Sequence, residues 1–364
     1  MTGPSRPFLF VTNHVPPDRA GAFAALHERE PLELALFGGR SHHATAGLDD
    51  PGVPYRRIDE RAVHGLARSR RYRAVVCGTA GRVALPAAWL GARRAGTPFL
   101  LWSALWGELM TPAHVAARPL MAAIYRSADA VVAYGEHVAA FARRHGARRV
   151  HIAPQAVDNA WWGEGAAPAA GGPLRAVFAG RDAPEKGRDV LLESWRAAGL
   201  DGAGATLVLA GEYGASGEPT GGVRAVGAVE PEELRNLYRA ANVLVMPSIA
   251  SRRFREPWGL VVNEAMNQHL AIVATDAVGA AAGGLVRDEH NGLVVPAGDS
   301  AALATALRRL HEDPALRAGL GDHGARDVQA FSFAAWVDGF AGALLASNAG
   351  PDGDRVCARP PRRP

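Results

Sequence analysis

Cysteine is nearly absent: Cys77 and Cys357 are the only two among 364 residues, and the second lies in a tail. That excludes a disulfide framework and points to a reducing compartment. Long apolar runs are missing as well. No stretch approaches 18 apolar residues without Gly, Pro or charge, so no membrane span is expected. The first apolar run, residues 8–11 (FLFV), is too short for the core of a signal peptide, and a cytoplasmic location follows as the expectation. Charge of one sign is not in excess. Forty basic side chains face 36 acidic ones, for a net +4. This argues against a nucleic-acid partner and leaves anionic small molecules, or at most a peripheral membrane contact.

Two nucleotide-binding signatures are also lacking. Residues 8–11 are followed by Thr-Asn-His-Val-Pro-Pro rather than G-x-G-x-x-G, which excludes a dinucleotide-dependent oxidoreductase. No G-x-x-x-x-G-K-[ST] occurs, which excludes a P-loop NTPase.

What is present is a chain of ordinary globular composition, 48% hydrophobic and 21% charged, long enough for two domains. Short apolar runs at 8–11, 74–77, 98–102, 130–133 and 150–153 read as strands with helical patterns between them. Residues 163–173 (GEGAAPAAGGP) read as a linker. The pattern then restarts, with strands at 174–179, 206–210, 243–246, 271–274 and 292–295 and helices at 189–198, 231–241 and 261–266. The expected fold is α/β, with two Rossmann-like doubly wound domains facing across a cleft. The N-terminal domain is placed at 1–163 and the C-terminal domain at 164–346, with a last helix near 331–346 able to pack back on the N-terminal domain. The Pro- and Arg-rich tail, 347–364, is expected to be disordered. Its Asp352-Gly-Asp354 has metal-binding spacing but nothing to hold it rigid, so no metal site is expected there.

Two stretches carry chemistry. Gly180-Arg-Asp-Ala-Pro-Glu-Lys-Gly187 follows a strand and precedes a helix. A glycine at a strand end permits a sharp turn and close ligand approach. Arg181 and Lys186 beside a helix start suit a diphosphate, although a solvated loop with surface charges is an equal reading. The second stretch is Glu256-Pro-Trp-Gly-Leu-Val-Val-Asn-Glu264. Gly259 is expected to open a helix that carries Glu264 two turns in, so that both carboxylates face one cleft. A carboxylate can accept from two vicinal hydroxyls. Paired carboxylates alone are weak evidence.

Their order and company are more specific. GRDAPEKG (180–187), AGE (210–212), VGAVEPEELRNLYRAANVLVMPS (226–248), EPWGLVVNEAMNQHLAIVATDAVGA (256–280) and LVRDEHNGLVVPAGD (285–299) together resemble the retaining GT-B glycosyltransferases of family 4, the group 1 glycosyltransferases. The resemblance implies that Arg181 and Lys186 bind the donor diphosphate and stabilise the leaving nucleotide. It implies that Glu264 holds the ribose, that Glu256 contacts the donor sugar, and that the backbone of Trp258, Gly259 and Leu260 meets sugar and phosphates. Gly180, Glu212 and Val229 complete the donor side, with residues 227–230 framing the base. By the same resemblance no metal or other cofactor is needed, and configuration at the anomeric carbon is retained.

The N-terminal half departs from that pattern. The usual adjacent glycine pair of the first loop is reduced to Ala20-Gly21, and the histidine that relatives carry after the strand at 98–102 is missing from Leu101-Trp-Ser-Ala-Leu-Trp106. Ser103 stands as a substitute hydroxyl, and His14, Gly21 and Trp102 as further acceptor-side candidates. Trp102 and Trp106, four apart, could stack on an acceptor ring or pack in the core. His42 and His43 have no metal-ligand partner spacing.

The implied activity is transfer of a sugar from a nucleotide-diphosphate sugar, UDP-linked by preference, to a hydroxyl of a small-molecule, glycan or lipid-linked acceptor. The alternatives are a non-catalytic two-domain sugar- or nucleotide-binding protein and a GT-B phosphorylase or epimerase relative.

Overall fold

The computed structural model describes residues 6–38, 50–167, 171–213 and 220–348. The first half runs β1 (Phe8–Thr12), α1 (Ala20–Arg29), β2 (Leu32–Leu36), β3 (Tyr55–Arg57), α2 (Val63–Arg68), β4 (Val75–Gly78), α3 (Ala84–Ala95), β5 (Phe99–Ser103), α4 (Pro112–Ser127), β6 (Ala130–Ala133), α5 (Glu136–Arg144) and β7 (Val150–Ile152). After α6 (Asn159–Gly163) the second half runs β8 (Arg175–Ala179), α7 (Arg188–Ala197), β9 (Thr206–Ala210), β10 (Val223–Gly227), α8 (Pro231–Ala240), β11 (Val243–Met246), α9 (Val261–Asn267), β12 (Ala271–Thr275), α10 (Gly279–Ala282) and β13 (Gly292–Val295). Helices α11 (Ser300–Glu312), α12 (Pro314–Asp327) and α13 (Phe333–Asn348) close the chain.

The strands form two all-parallel sheets, ordered β3-β2-β1-β4-β5-β6-β7 and β10-β9-β8-β11-β12-β13. Each order reverses once, between β1 and β4 and between β8 and β11. Ligands of such sheets sit at the carboxyl ends of the strands beside that reversal. The central strands are buried on both faces, as helix-covered parallel strands must be, and therefore read as continuous apolar runs.

The expected strands are present, but three others are not legible as apolar runs. Strand β3 is Tyr-Arg-Arg and largely exposed, β10 is a half-exposed edge carrying Arg224, and β2 is interrupted by Glu33, which pairs with Arg56 of β3. Edge strands carry charge because a bare apolar edge invites pairing with another chain.

Helix α13 leaves the second half and packs on the first sheet. Trp336, Phe340 and Leu344 are buried with Phe10, Phe23 and Trp102. The approach is close: a side chain at Gly339 would lie 2.3 Å from the Ile152 carbonyl oxygen. By length and composition the helical stretch Pro314–Ser347 could cross a membrane, yet α13 spends its apolar residues on this core. Residues 349–364, including Asp352, Asp354 and Cys357, lie outside the described residues, as do His42 and His43.

Candidate active site

The cleft between the sheets is lined from both halves. From the second half come Gly180, Arg181, Lys186, Glu212, Val229, Glu256, Trp258, Gly259, Leu260 and Glu264. Glycine makes the close turns possible here. Gly187 has φ +74°, and a Cβ on it would lie 1.9 Å from the Pro247 carbonyl oxygen. The start of α7 is thereby pressed against the end of β11, and Lys186 just before it is brought over the cleft. Gly211 likewise sits so near the Gly180 carbonyl oxygen, 1.8 Å from a built Cβ, that no side chain fits between the loops after β8 and β9.

Lys186 and Glu256 meet. The ammonium Nζ lies 2.5 Å from Glu256 Oε2, both side chains are largely buried, and the Ser248 hydroxyl donates to the same oxygen at 3.4 Å. Phe254 covers the ammonium, its ring centre 5.8 Å away. A desolvated ion pair interacts more strongly than one in water, and each partner is costly to leave alone. Beside it, Tyr213 donates to the Arg181 carbonyl at 2.7 Å and is covered by Arg188, 5.0 Å from the ring centre. Burial pushes the Tyr213 phenol up to about 12, so it stays a donor.

Trp258 is buried, and its Nε1 donates to Asn263 Oδ1 at 2.8 Å, which ties the loop to α9. Gly259, at φ +92°, turns the chain into α9, which begins at Val261. Glu264 therefore stands in the first turn of α9, not two turns in as the sequence reading placed it. The helix starts two residues after the glycine, because Leu260 is its cap. Tyr238 of α8 donates to Glu264 Oε2 at 3.0 Å. Burial raises the Glu264 carboxyl to about 8; the Tyr238 hydrogen bond pulls it down, and Asp18 across the cleft pushes it further up.

The first half contributes His14 and Trp102 to the lining. The structure corrects two other acceptor-side residues. Ser103 is fully buried, its hydroxyl 2.8 Å from Tyr125 OH and accepting from Leu105 N, and it does not line the cleft. Gly21 lies in α1 against Phe333 of α13, where a Cβ would come within 2.6 Å of the ring. Its smallness serves helix packing. Nor do Trp102 and Trp106 share a helix face. Trp102 ends a strand among Phe10, Tyr134 and Trp336, and Trp106 lies in the loop beyond.

Trp106 instead joins the halves. Its Nε1 donates to the Glu256 carbonyl at 3.1 Å, and Arg255 covers its ring at 4.9 Å. His137 of α5 stands between Trp106 and Trp258, its Nε2 3.2 Å from the Pro257 carbonyl. Burial lowers the His137 pKa, partly offset by that carbonyl. Sequence reasoning missed His137 and Tyr238, which support the loop and helix behind the cleft, and Asp18, Arg19 and Gln155, which line it. Only the first has a local signal, a polar residue at the start of an amphipathic helix; the others are joined by tertiary contacts alone. Among the described residues no group of three or more His, Cys, Asp or Glu is placed to hold a metal ion.

Residues 173–313 match the family model of glycosyl transferases group 1. A D-inositol 3-phosphate glycosyltransferase of Streptomyces coelicolor is 41% identical over 108 residues, 29% of this chain and 21% of that protein. One from Nocardioides is 33% identical over 184 residues, 43% and 38% of the two chains. The matched segment thus spans well under half the length of these curated relatives. Among solved structures, Anabaena HepE in complex with UDP and glucose superposes with a TM-score of 0.71 at 18% identity, covering 94% of this chain and all of that one. Sucrose-phosphate synthase of Thermosynechococcus elongatus gives 0.70 at 20%, covering 95% and all. The chain therefore has the GT-B fold of two Rossmann-like domains, and its C-terminal half is similar to the glycosyl transferases group 1.

Proposed function

We propose that this chain is a retaining glycosyltransferase that moves a sugar from a nucleotide-diphosphate sugar to an acceptor hydroxyl without a metal ion. The observation that carries the reading is the Lys186–Glu256 pair beyond the end of β8, where Arg181 also lines the cleft and α7 begins two residues after Lys186. A diphosphate laid there meets two cations and a positive helix end, which together can carry the charge that builds on a departing nucleotide. Glu256, held by Lys186 and Ser248, accepts hydrogen bonds from the hydroxyls of the transferred sugar. Glu264 accepts from the ribose. In the reaction the bond from the anomeric carbon to the β-phosphate oxygen breaks, and its electron pair stays on that oxygen. The acceptor oxygen bonds the same carbon from the same face, and its proton passes to the departing phosphate.

A UDP-linked donor is the first to test, because HepE, of the same fold, was solved with UDP and glucose. The curated relatives' names make D-inositol 3-phosphate the first acceptor to offer. The test is proton NMR of UDP-glucose with enzyme, acceptor panel and EDTA. A small H1–H2 coupling in the product, that of an equatorial anomeric proton as in the α-linked donor, supports the reading. An inverted product, or transfer only after a divalent metal is added, counts against it.

A further inference from the structure

The N-terminal side of the cleft floor holds three buried polar atoms without a hydrogen-bond partner among the described residues: Asp18 Oδ2, Trp102 Nε1 and Gln155 Nε2. They come from three different elements. Asp18 sits in the short 3-10 turn Pro17–Arg19 after β1, Trp102 on β5, and Gln155 in the segment after β7. Gln155 is fully buried and Trp102 is 8% exposed.

Arg19 draws them together. Its guanidinium donates to Gln155 Oε1 and lies 5.2 Å over the Trp102 ring and 5.8 Å over the Tyr134 ring. Gln155 is tied to the opposite domain, since its carbonyl accepts from Asn263 Nδ2, in the first turn of α9, at 3.0 Å. Asp18, Arg19, Trp102, Tyr134, Gln155 and Glu264 all line the one cleft. A buried polar group without a partner is costly, so three on one floor mark a place where something else supplies the partners.

Their chemistry selects it. Two N–H donors and one carboxylate acceptor match hydroxyls, each of which both donates and accepts. An anion does not fit. Arg19 is the single cation among these lining residues, which also include two carboxyl groups, Asp18 and Glu264. Glu264 and Asp18 reach the floor from opposite domains, so a ligand with two adjacent hydroxyls can be held by both.

We propose that Asp18, Trp102 and Gln155 form a hydroxyl-binding subsite that faces Glu264 and takes a vicinal diol. The inference rests on the proposed nucleotide-sugar reading for what brings the diol. Its source is either the ribose of the donor nucleotide or a polyol acceptor.

The experiment compares wild type with Asp18→Asn, which keeps the shape and removes the charge, and with Trp102→Phe, which removes the N–H. Calorimetry measures UDP, 2′-deoxy-UDP, and myo-inositol with and without saturating UDP. A ribose source predicts that wild type prefers UDP over 2′-deoxy-UDP by about tenfold and that both variants narrow the ratio several-fold. A polyol source predicts an unchanged ratio and about a tenfold loss of myo-inositol binding in both variants. Thermal unfolding of Asp18→Asn should not fall below wild type, because Asp18 Oδ2 has no hydrogen-bond partner among the described residues; a clear fall would assign Asp18 a structural role and overturn the subsite. Variants that match wild type with every ligand overturn it too, as does a wild type that neither distinguishes the nucleotides nor binds myo-inositol. A wild type that binds no UDP removes the nucleotide reading alone, and the myo-inositol titration without nucleotide then decides the subsite.

Discussion

Tyr238 and Glu264 face each other from α8 and α9, both buried, the phenol donating to the carboxyl oxygen at 3.0 Å. The pair fixes the carboxyl where a ribose would need it and leaves it mostly protonated at neutral pH, since burial raises it to about 8. Hydroxyls that donate to it favour the carboxylate form. Under the proposed reading, nucleotide binding at pH 7 should therefore be accompanied by proton release. Calorimetry in buffers of different ionisation enthalpy should give apparent enthalpies that differ by the released proton; identical enthalpies would show that Glu264 stays protonated.

The same group shapes stability. Its folded pKa of about 8 lies above its ordinary 4.5, so between those values the folded chain binds more protons than the unfolded one. Stability from this group is fully present below about pH 4.5 and declines as pH rises to about 8. Glu264→Gln should flatten that decline in urea unfolding across pH 5–9 while weakening UDP binding. A variant whose profile parallels wild type would contradict the assignment.

His137 runs the other way. Its folded pKa is lowered, so its contribution is present above about pH 6.5 and is lost as pH falls through the folded value. The protonated ring would need a partner for Nδ1, which has none among the described residues. Acid should loosen the contact of α5 with the Pro257 carbonyl first. Protection against hydrogen exchange at residues 256–260, taken relative to the intrinsic amide rate at each pH, should fall below pH 6 in wild type and stay constant in His137→Gln.

Gly187→Ala should be among the most damaging single-atom changes. The φ of +74° and the 1.9 Å approach to Pro247 leave no room for a Cβ, and the neighbour is backbone. A cost of roughly 2–4 kcal/mol is expected from urea denaturation. Ser103→Ala, by contrast, removes a buried hydroxyl that touches Tyr125 and not the cleft. It should cost about 1–2 kcal/mol of stability and leave UDP affinity unchanged.

The two-sheet architecture is legible because helix-covered parallel strands are continuous apolar runs such as residues 243–246 and 271–274. The edge strands β3 and β10 are not, since Arg56, Arg57 and Arg224 serve solubility rather than burial. On the C-terminal side the site is local: Arg181 and Lys186 share one loop, and Glu256 and Glu264 one loop and helix, so spacing alone brings them close. On the N-terminal side it is not. Asp18, Trp102 and Gln155 lie more than 50 residues apart in sequence and meet only through the order of β1, β5 and β7. Ser103 and Gly21 look like site residues in sequence because a hydroxyl near a strand end and a glycine in a first loop often are. Here Tyr125 and Phe333 occupy the space they face.

The most direct measurement is calorimetry of the purified chain with UDP, GDP, ADP and dTDP in EDTA, repeated with Arg181→Ala and Lys186→Ala. The account predicts that one nucleotide binds without metal and that each variant weakens it by about tenfold or more. Binding of none of the four, or binding that both variants leave untouched, would contradict a donor site built on this loop.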